Sequence, residues 1–222
     1  SDGSLSGAGN IAIGDSAAKA LTSGSNAIAI GRDAMSAAVF TGSDAVGVGR
    51  STLAALTSGS NNVAVGTLAG TSLTEGLQNT LVGTQAGDAL TDADFNVAIG
   101  QSALSADTLG SRSVAVGYAT LTNQNFTTAT NSHNVAVGYF AGAAVTTAIS
   151  NTLLGALSGD ALTTGSDNVS VGVAALGADT KGGLSVAIGS NALAAQNFTT
   201  ATDVYNVAVG TLAGAAVTTG IQ

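Results

Sequence analysis

The chain has 222 residues, of which 45% are hydrophobic but only 4% aromatic and 8% charged; net charge is −8, and Pro and Cys are absent. Without Cys there is no disulfide, thiolate metal site or Cys nucleophile, and without Pro there is no collagen. The five basic residues, Lys19, Arg32, Arg50, Arg112 and Lys181, are scattered, so nucleic acid is excluded as a partner. No apolar run is long enough to span a bilayer, so this segment is not expected to insert into a membrane.

In chain order the sequence is one phrase written twelve times. The phrases close on Gly14, Gly31, Gly49, Gly66, Gly83, Gly100, Gly117, Gly138, Gly155, Gly172, Gly189 and Gly210. The steps between them are equal except for one longer by a single residue, at Gly49, and two longer by four, at Gly138 and Gly210. Such a period is the mark of a repeat architecture. A longer period lies above it, running from Gly66 to Gly138 and by an equal step to Gly210. It defines super-repeats 66–137 and 138–209 and a partial copy from 210, all in one repeat domain, 1–222. The break at Gln222 falls inside a unit, and the chain reads as a segment of a longer array.

Each phrase predicts a short strand. Val, Ile or Leu precedes the Gly, a Val, Ile or Thr stands two residues before that, and Ala lies between them in eight of the twelve phrases. This period of two predicts β structure with the β-branched face filling the coil. The small Ala face is then expected to meet something outside it. Four residues before the Gly stands Asn in eight phrases, including Asn62, Asn134 and Asn206. Such an Asn either stacks its amide coil on coil or caps a turn.

The second half of each unit trades volume. Four residues after the Gly, the last nine units carry Gly70, Gly87, Leu104, Leu121, Gly142, Gly159, Leu176, Leu193 and Gly214. Three residues further on they carry Leu73, Leu90, Asp107, Gln124, Val145, Leu162, Asp179, Gln196 and Val217, so a Gly is always paired with Leu or Val, and a Leu with a polar residue. The strand itself makes a similar exchange at Thr80–Leu81 and Thr152–Leu153. Close-packed interiors require this compensation. The predicted fold is an all-β parallel β-solenoid of about twelve 17-residue coils, a rod about 55 Å long at the usual strand spacing. One narrow coil encloses little core, so association of identical rods is expected.

The phrases NAIAIG (26–31), NVAIG (96–100), SVAVG (113–117) and SVAIG (185–189) resemble the head repeats of trimeric autotransporter adhesins, the YadA-like heads, over nearly the whole chain. The longer unit, NTLVGTQAG with a TTGSDN-type linker (163–168), is similar to repeats in bacteriophage tail fibres. The resemblance implies a left-handed β-roll, a homotrimer and an extracellular setting, on a virion tail fibre or a bacterial surface. It implies a host or cell-surface receptor or glycan as partner.

Two inserts, QNFTTATNSHN (124–134) and QNFTTATDVYN (196–206), occupy the same point of the super-repeat. Their candidate partner-facing residues are Phe126, Thr127, Thr128, His133, Phe198, Thr199, Thr200 and Tyr205. They form either a ledge for a receptor or glycan or a wrap that locks a neighbouring chain, the latter favoured because an exposed Phe more often packs. Asn62, Gly66, Asn134, Gly138, Asn206 and Gly210 are read as structural repeat residues.

No catalytic, cofactor or metal site is expected. His133 is the only histidine and has no recurrent acid or Ser around it. Asp88, Asp92 and Asp94 lack the spacing of a Ca²⁺ loop and are read as facing solvent. Thr127, Thr128, Thr199 and Thr200 are too local to make a coil-after-coil Thr array. The function read from the sequence is a non-catalytic adhesive fibre segment; the alternative is a purely structural extracellular filament joined end to end.

Overall fold

A computed structural model describes residues 7–19, 21–37 and 39–220. Every phrase forms a strand. In order they are β1 (Ile11–Ile13), β2 (Ile28–Ile30), β3 (Val46–Val48), β4 (Val63–Val65), β5 (Thr80–Val82), β6 (Val97–Ile99), β7 (Gly110–Ser111) and β8 (Val114–Val116). There follow β9 (Thr130–Asn131), β10 (Val135–Val137), β11 (Thr152–Leu154), β12 (Val169–Val171), β13 (Gly182–Gly183), β14 (Val186–Ile188), β15 (Thr202–Asp203) and β16 (Val207–Val209). The twelve three-residue strands make one parallel sheet in chain order, each residue opposite its counterpart one coil away. The inserts add two small parallel pairs, β7 with β9 and β13 with β15. The described residues contain no helix, and the chain is an all-β parallel β-solenoid of twelve coils.

A coil this short has to turn sharply several times, and left-handed residues do the turning. Between Gly66 and Gly83, Leu68 (φ 62°), Gly70 (φ 56°) and Gln78 (φ 57°) are all left-handed, and the pattern recurs in the other coils. A left-handed Leu costs roughly 1–2 kcal/mol. Coil-to-coil hydrogen bonds offset this, with Leu68 N–H donating to the Arg50 carbonyl at 2.9 Å and Gln78 N–H to the Ser60 carbonyl at 3.1 Å. The phrase-closing glycines are obligatory for a second reason: Gly66 has φ 133°, and a Cβ there would lie 2.5 Å from the Gly83 carbonyl oxygen of the next coil.

The strand faces are the reverse of the expectation. Ala64, Ala98, Ala115 and Ala136 point into the coil and are fully buried, whereas the β-branched Val65, Ile99 and Val137 point outward and are 37–38% exposed. The interior has no room for Val opposite the large side chains of the return segment. Leu53, Leu56, Leu73, Leu90, Leu104 and Leu121 fill it from that side, and Ala is what fits against them.

The volume exchange is real and its geometry is explicit. Where the strand carries Leu81 in place of Ala, the facing positions are Gly70 and Gly87. A Cβ on Gly70 would lie 2.7 Å from one Leu81 methyl, and a Cβ on Gly87 2.8 Å from the other. Leu153 repeats this against Gly142 and Gly159, at 2.7 and 2.8 Å.

Candidate functional site

The Asn positions form a ladder that does both things foreseen for them. The Asn62 side-chain oxygen accepts from the Asn79 backbone N–H at 2.9 Å, and its Nδ2 donates to the Gly76 carbonyl at 2.7 Å. Asn79, Asn96, Asn134, Asn151 and Asn168 make the equivalent bonds to the coil that follows each. Each buried amide therefore bonds the next coil's strand entry and the turn before it, satisfying two backbone groups with one side chain.

The ladder changes at Ser113 and Ser185, and there the inserts begin their work. Gln124 is buried and replaces the missing amide: its Nε2 donates to Asp107 Oδ2 at 2.6 Å and Ser113 Oγ at 3.0 Å, and its Oε1 accepts from Asn134 Nδ2 at 2.8 Å. Asp107 Oδ1 accepts from the backbone N–H of Gly110 and of Phe126, both at 3.0 Å. Asp179, Gln196, Ser185 and Asn206 make the same network in the second copy. The Leu-to-polar exchange seen in the sequence is thus a fully hydrogen-bonded polar layer, placed where the longer connection leaves the coil.

That network sets the fate of the insert residues. Phe126 and Phe198 are not the exposed rings expected: they are buried in their own chain, 6% and 8% exposed. The Phe126 ring packs on Gly110, where a Cβ would come 2.8 Å from it. Anchored by these rings, Thr127, Thr128, Thr199 and Thr200 stand exposed at the tip. His133 (φ 51°) and Tyr205 (φ 58°) occupy the left-handed corner before the Asn ladder, and both are exposed.

Three features had not been singled out from the sequence. A Thr row runs along the rod: Thr57, Thr74 and Thr91 each donate a hydroxyl hydrogen to the carbonyl of Thr74, Thr91 and Thr108, at 3.1–3.2 Å. Its recurrence eight residues after the Gly in nine of the twelve units was visible. Tyr118, Tyr139 and Phe140 form an aromatic cluster with centroids 4.6–5.6 Å apart, and both tyrosines are exposed. Third, a groove of about 290 Å³ lies beside the second insert, lined by Thr164, Ser166, Asp167, Lys181, Gly183, Leu184, Ala201, Thr202 and Asp203.

The acidic trio does not converge. Asp92 is exposed, Asp94 Oδ1 accepts from Leu77 N–H at 2.7 Å, and no group of three His, Cys, Asp or Glu that could hold a metal exists among the described residues. Asp88 departs from the solvent-facing expectation. Its Oδ1 is buried without a partner, and burial raises its pKa, opposed by its backbone and by Gln85. Asp160, at the equivalent point of the second copy, is raised by burial as well.

The outward face of the main sheet is apolar along the whole run of strands. Its two rows, the first and third residues of each three-residue strand, are Val, Ile or Leu except for Thr80 and Thr152, and carry no charge. Tyr118, Tyr139 and Val173, just beyond the strands, extend it with exposures of 45–54%. No helix among the described residues is long and apolar enough to cross a membrane. No known protein family, curated protein or solved structure matches the chain.

Proposed function

We propose that this chain is a segment of an extracellular fibre, a homotrimer assembled through the outward sheet face, whose role is reach and attachment rather than catalysis. The observation that carries this reading is the uncharged aliphatic face running the length of the solenoid. Parallel sheets are ordinarily covered on both sides, and here one side packs on its own coil and the other is bare. At roughly 4.8 Å per strand the face extends over about 55 Å, more than the scattered apolar residues a monomer's surface tolerates. A second and third copy of the same chain match it best, because identical rods present identical flat rows and cyclic symmetry closes the set. The inserts remain for contact with a host or cell surface, from a virion fibre or a bacterial surface.

Light scattering behind a sizing column tests the assembly. The expected result is one discrete species of three 21.0 kDa chains. A stable monomer at micromolar concentration contradicts the reading, and a concentration-dependent ladder of masses supports the end-to-end filament in its place.

A further inference from the structure

The two super-repeats treat the same point in different ways. In the first copy the point is spanned by a cation–π stack and a hydrogen bond. Arg112 lies over the Phe95 ring, 4.7 Å from its centroid, and its Nε donates to Asn131 Oδ1 at 3.0 Å. In the second copy, one super-repeat on, Asp167 stands where Phe95 was, Leu184 where Arg112 was, and Asp203 where Asn131 was. Lys181 takes the place of Leu109 and Gly183 that of Ser111. The Arg112–Phe95 stack has no counterpart there, and Asp167, Lys181, Gly183, Leu184 and Asp203 line a groove of about 290 Å³.

The groups left in it have unspent hydrogen-bonding capacity. Among the described residues, the side chains of Asp167, Lys181 and Asp203 make no hydrogen bond or ion pair, and the only ion pair is Arg32–Asp33, far along the rod. Thr164 adds a hydroxyl, and Leu184 and Ala201 add a small apolar wall. The lining thus combines two carboxylate acceptors, one ammonium donor and a hydroxyl. The volume sits at the low end of small-molecule sites, about 300–1,000 Å³.

From this we infer that the groove between Lys181 and the Asp167–Asp203 pair binds one sugar ring of a neutral or amino glycan. Vicinal hydroxyls donate to the carboxylates and accept from the ammonium, so a pyranose satisfies both kinds of group at once. The two carboxylates against one ammonium disfavour anionic ligands, and the ammonium disfavours a bare cation. The inference deepens the attachment role proposed above and rests on it. Three copies in a fibre would multiply a weak single contact by avidity.

The test is binding of the intact chain to a printed array of neutral, amino and sialylated oligosaccharides. Three variants go beside it: Lys181→Leu, Asp203→Ala, and the double change Asp167→Phe with Leu184→Arg. The double change rebuilds the first copy's stack from residues this coil type already accommodates, and circular dichroism and mass confirm that each variant folds and assembles as the parent does. The expected result is binding to a neutral or amino glycan, weakened at least tenfold in each variant and unchanged in Arg112→Leu. Equal binding by parent and variants overturns the groove and leaves attachment standing. Binding confined to sialylated glycans overturns the ligand class. No glycan bound by the parent overturns the groove and the glycan-attachment reading together, while the trimer stands or falls on its mass.

Discussion

The coils around Leu81 and those around Gln124 solve one problem with opposite materials. Both must fill a core only a few side chains wide. The first does it with volume: Leu81 projects from the strand into the space that Gly70 and Gly87 leave. The second does it with hydrogen bonds: Leu104 and Leu121 take the space, and Asp107 and Gln124 satisfy Ser113, Asn134 and two backbone N–H groups. The difference teaches that the sequence is free to change the chemistry of a coil so long as its narrow interior is filled, by volume in one case and by hydrogen-bonded polar groups in the other. It also shows where polar layers are used, namely where the chain leaves the coil to build an insert.

The largest effect should come from breaking the polar layer. Asp107→Ala leaves the Gly110 and Phe126 N–H groups and one of the two Gln124 amide hydrogens without an acceptor, the other still reaching Ser113 Oγ. At about 1–3 kcal/mol for each buried unpaired group, the loss should reach about 3 kcal/mol or more, read from chemical denaturation. The Phe126 ring should also loosen, read as increased protease cleavage within 124–134. Leu81→Ala in the apolar coil should cost about 2–5 kcal/mol, as other buried Leu→Ala changes do. Its companion sharpens the comparison. Adding Gly87→Leu to Leu81→Ala/Leu90→Ala should recover part of the loss, because Leu104 already holds the equivalent position at φ 55°, the same as Gly87, and both side chains that a Cβ at Gly87 would meet at 2.8 Å are then gone. No recovery would mean that volume is not what the two positions exchange.

Between these coils runs the Asn ladder, common to both. Asn151→Ala removes the acceptor for Asn168 N–H and the donor to the Gly165 carbonyl, for a loss of about 1–3 kcal/mol, again by denaturation. The smallest effect belongs to the half-buried acids. Burial raises the pKa of Asp88 and Asp160 above 3.8 in the folded chain. A raised acid binds protons more tightly when folded, so its contribution to stability is greatest at low pH and declines as pH rises through the window just above 3.8. Asp88→Asn and Asp160→Asn should therefore stabilise the chain slightly at neutral pH and flatten that decline, seen by melting from pH 3 to 7.

The period, the strand positions, the Gly-for-Leu exchange and the polar substitutions were all legible from spacing alone. The orientation of the strands was not, because Val-Ala-Val alternates equally well with either face inward. The usual preference for burying the larger residue pointed the wrong way. The correcting signal was nevertheless present: Leu81 and Leu153 stand in the Ala column and are matched by Gly70, Gly87, Gly142 and Gly159, which only makes sense if that column faces the core. Phe126 and Phe198 were misjudged for a related reason. Nothing local to 124–134 or 196–206 shows that Asp107 and Asp179, one coil before the Gln of each insert, draw the insert's backbone inward. The groove was illegible because it is an absence, visible only when Arg112 over Phe95 is set against Leu184 and Asp167.

The corrected orientation moves the whole argument for assembly from the Ala column to the aliphatic rows, and one measurement tests that most directly. The mass of the chain in solution, by light scattering, should be compared with that of Val65→Lys/Ile99→Lys/Val137→Lys, three outward positions that are 37–38% exposed. The account predicts three chains for the parent and a folded single chain, with unchanged circular dichroism, for the variant. An unchanged mass in the variant, or a parent that is already monomeric, would contradict it.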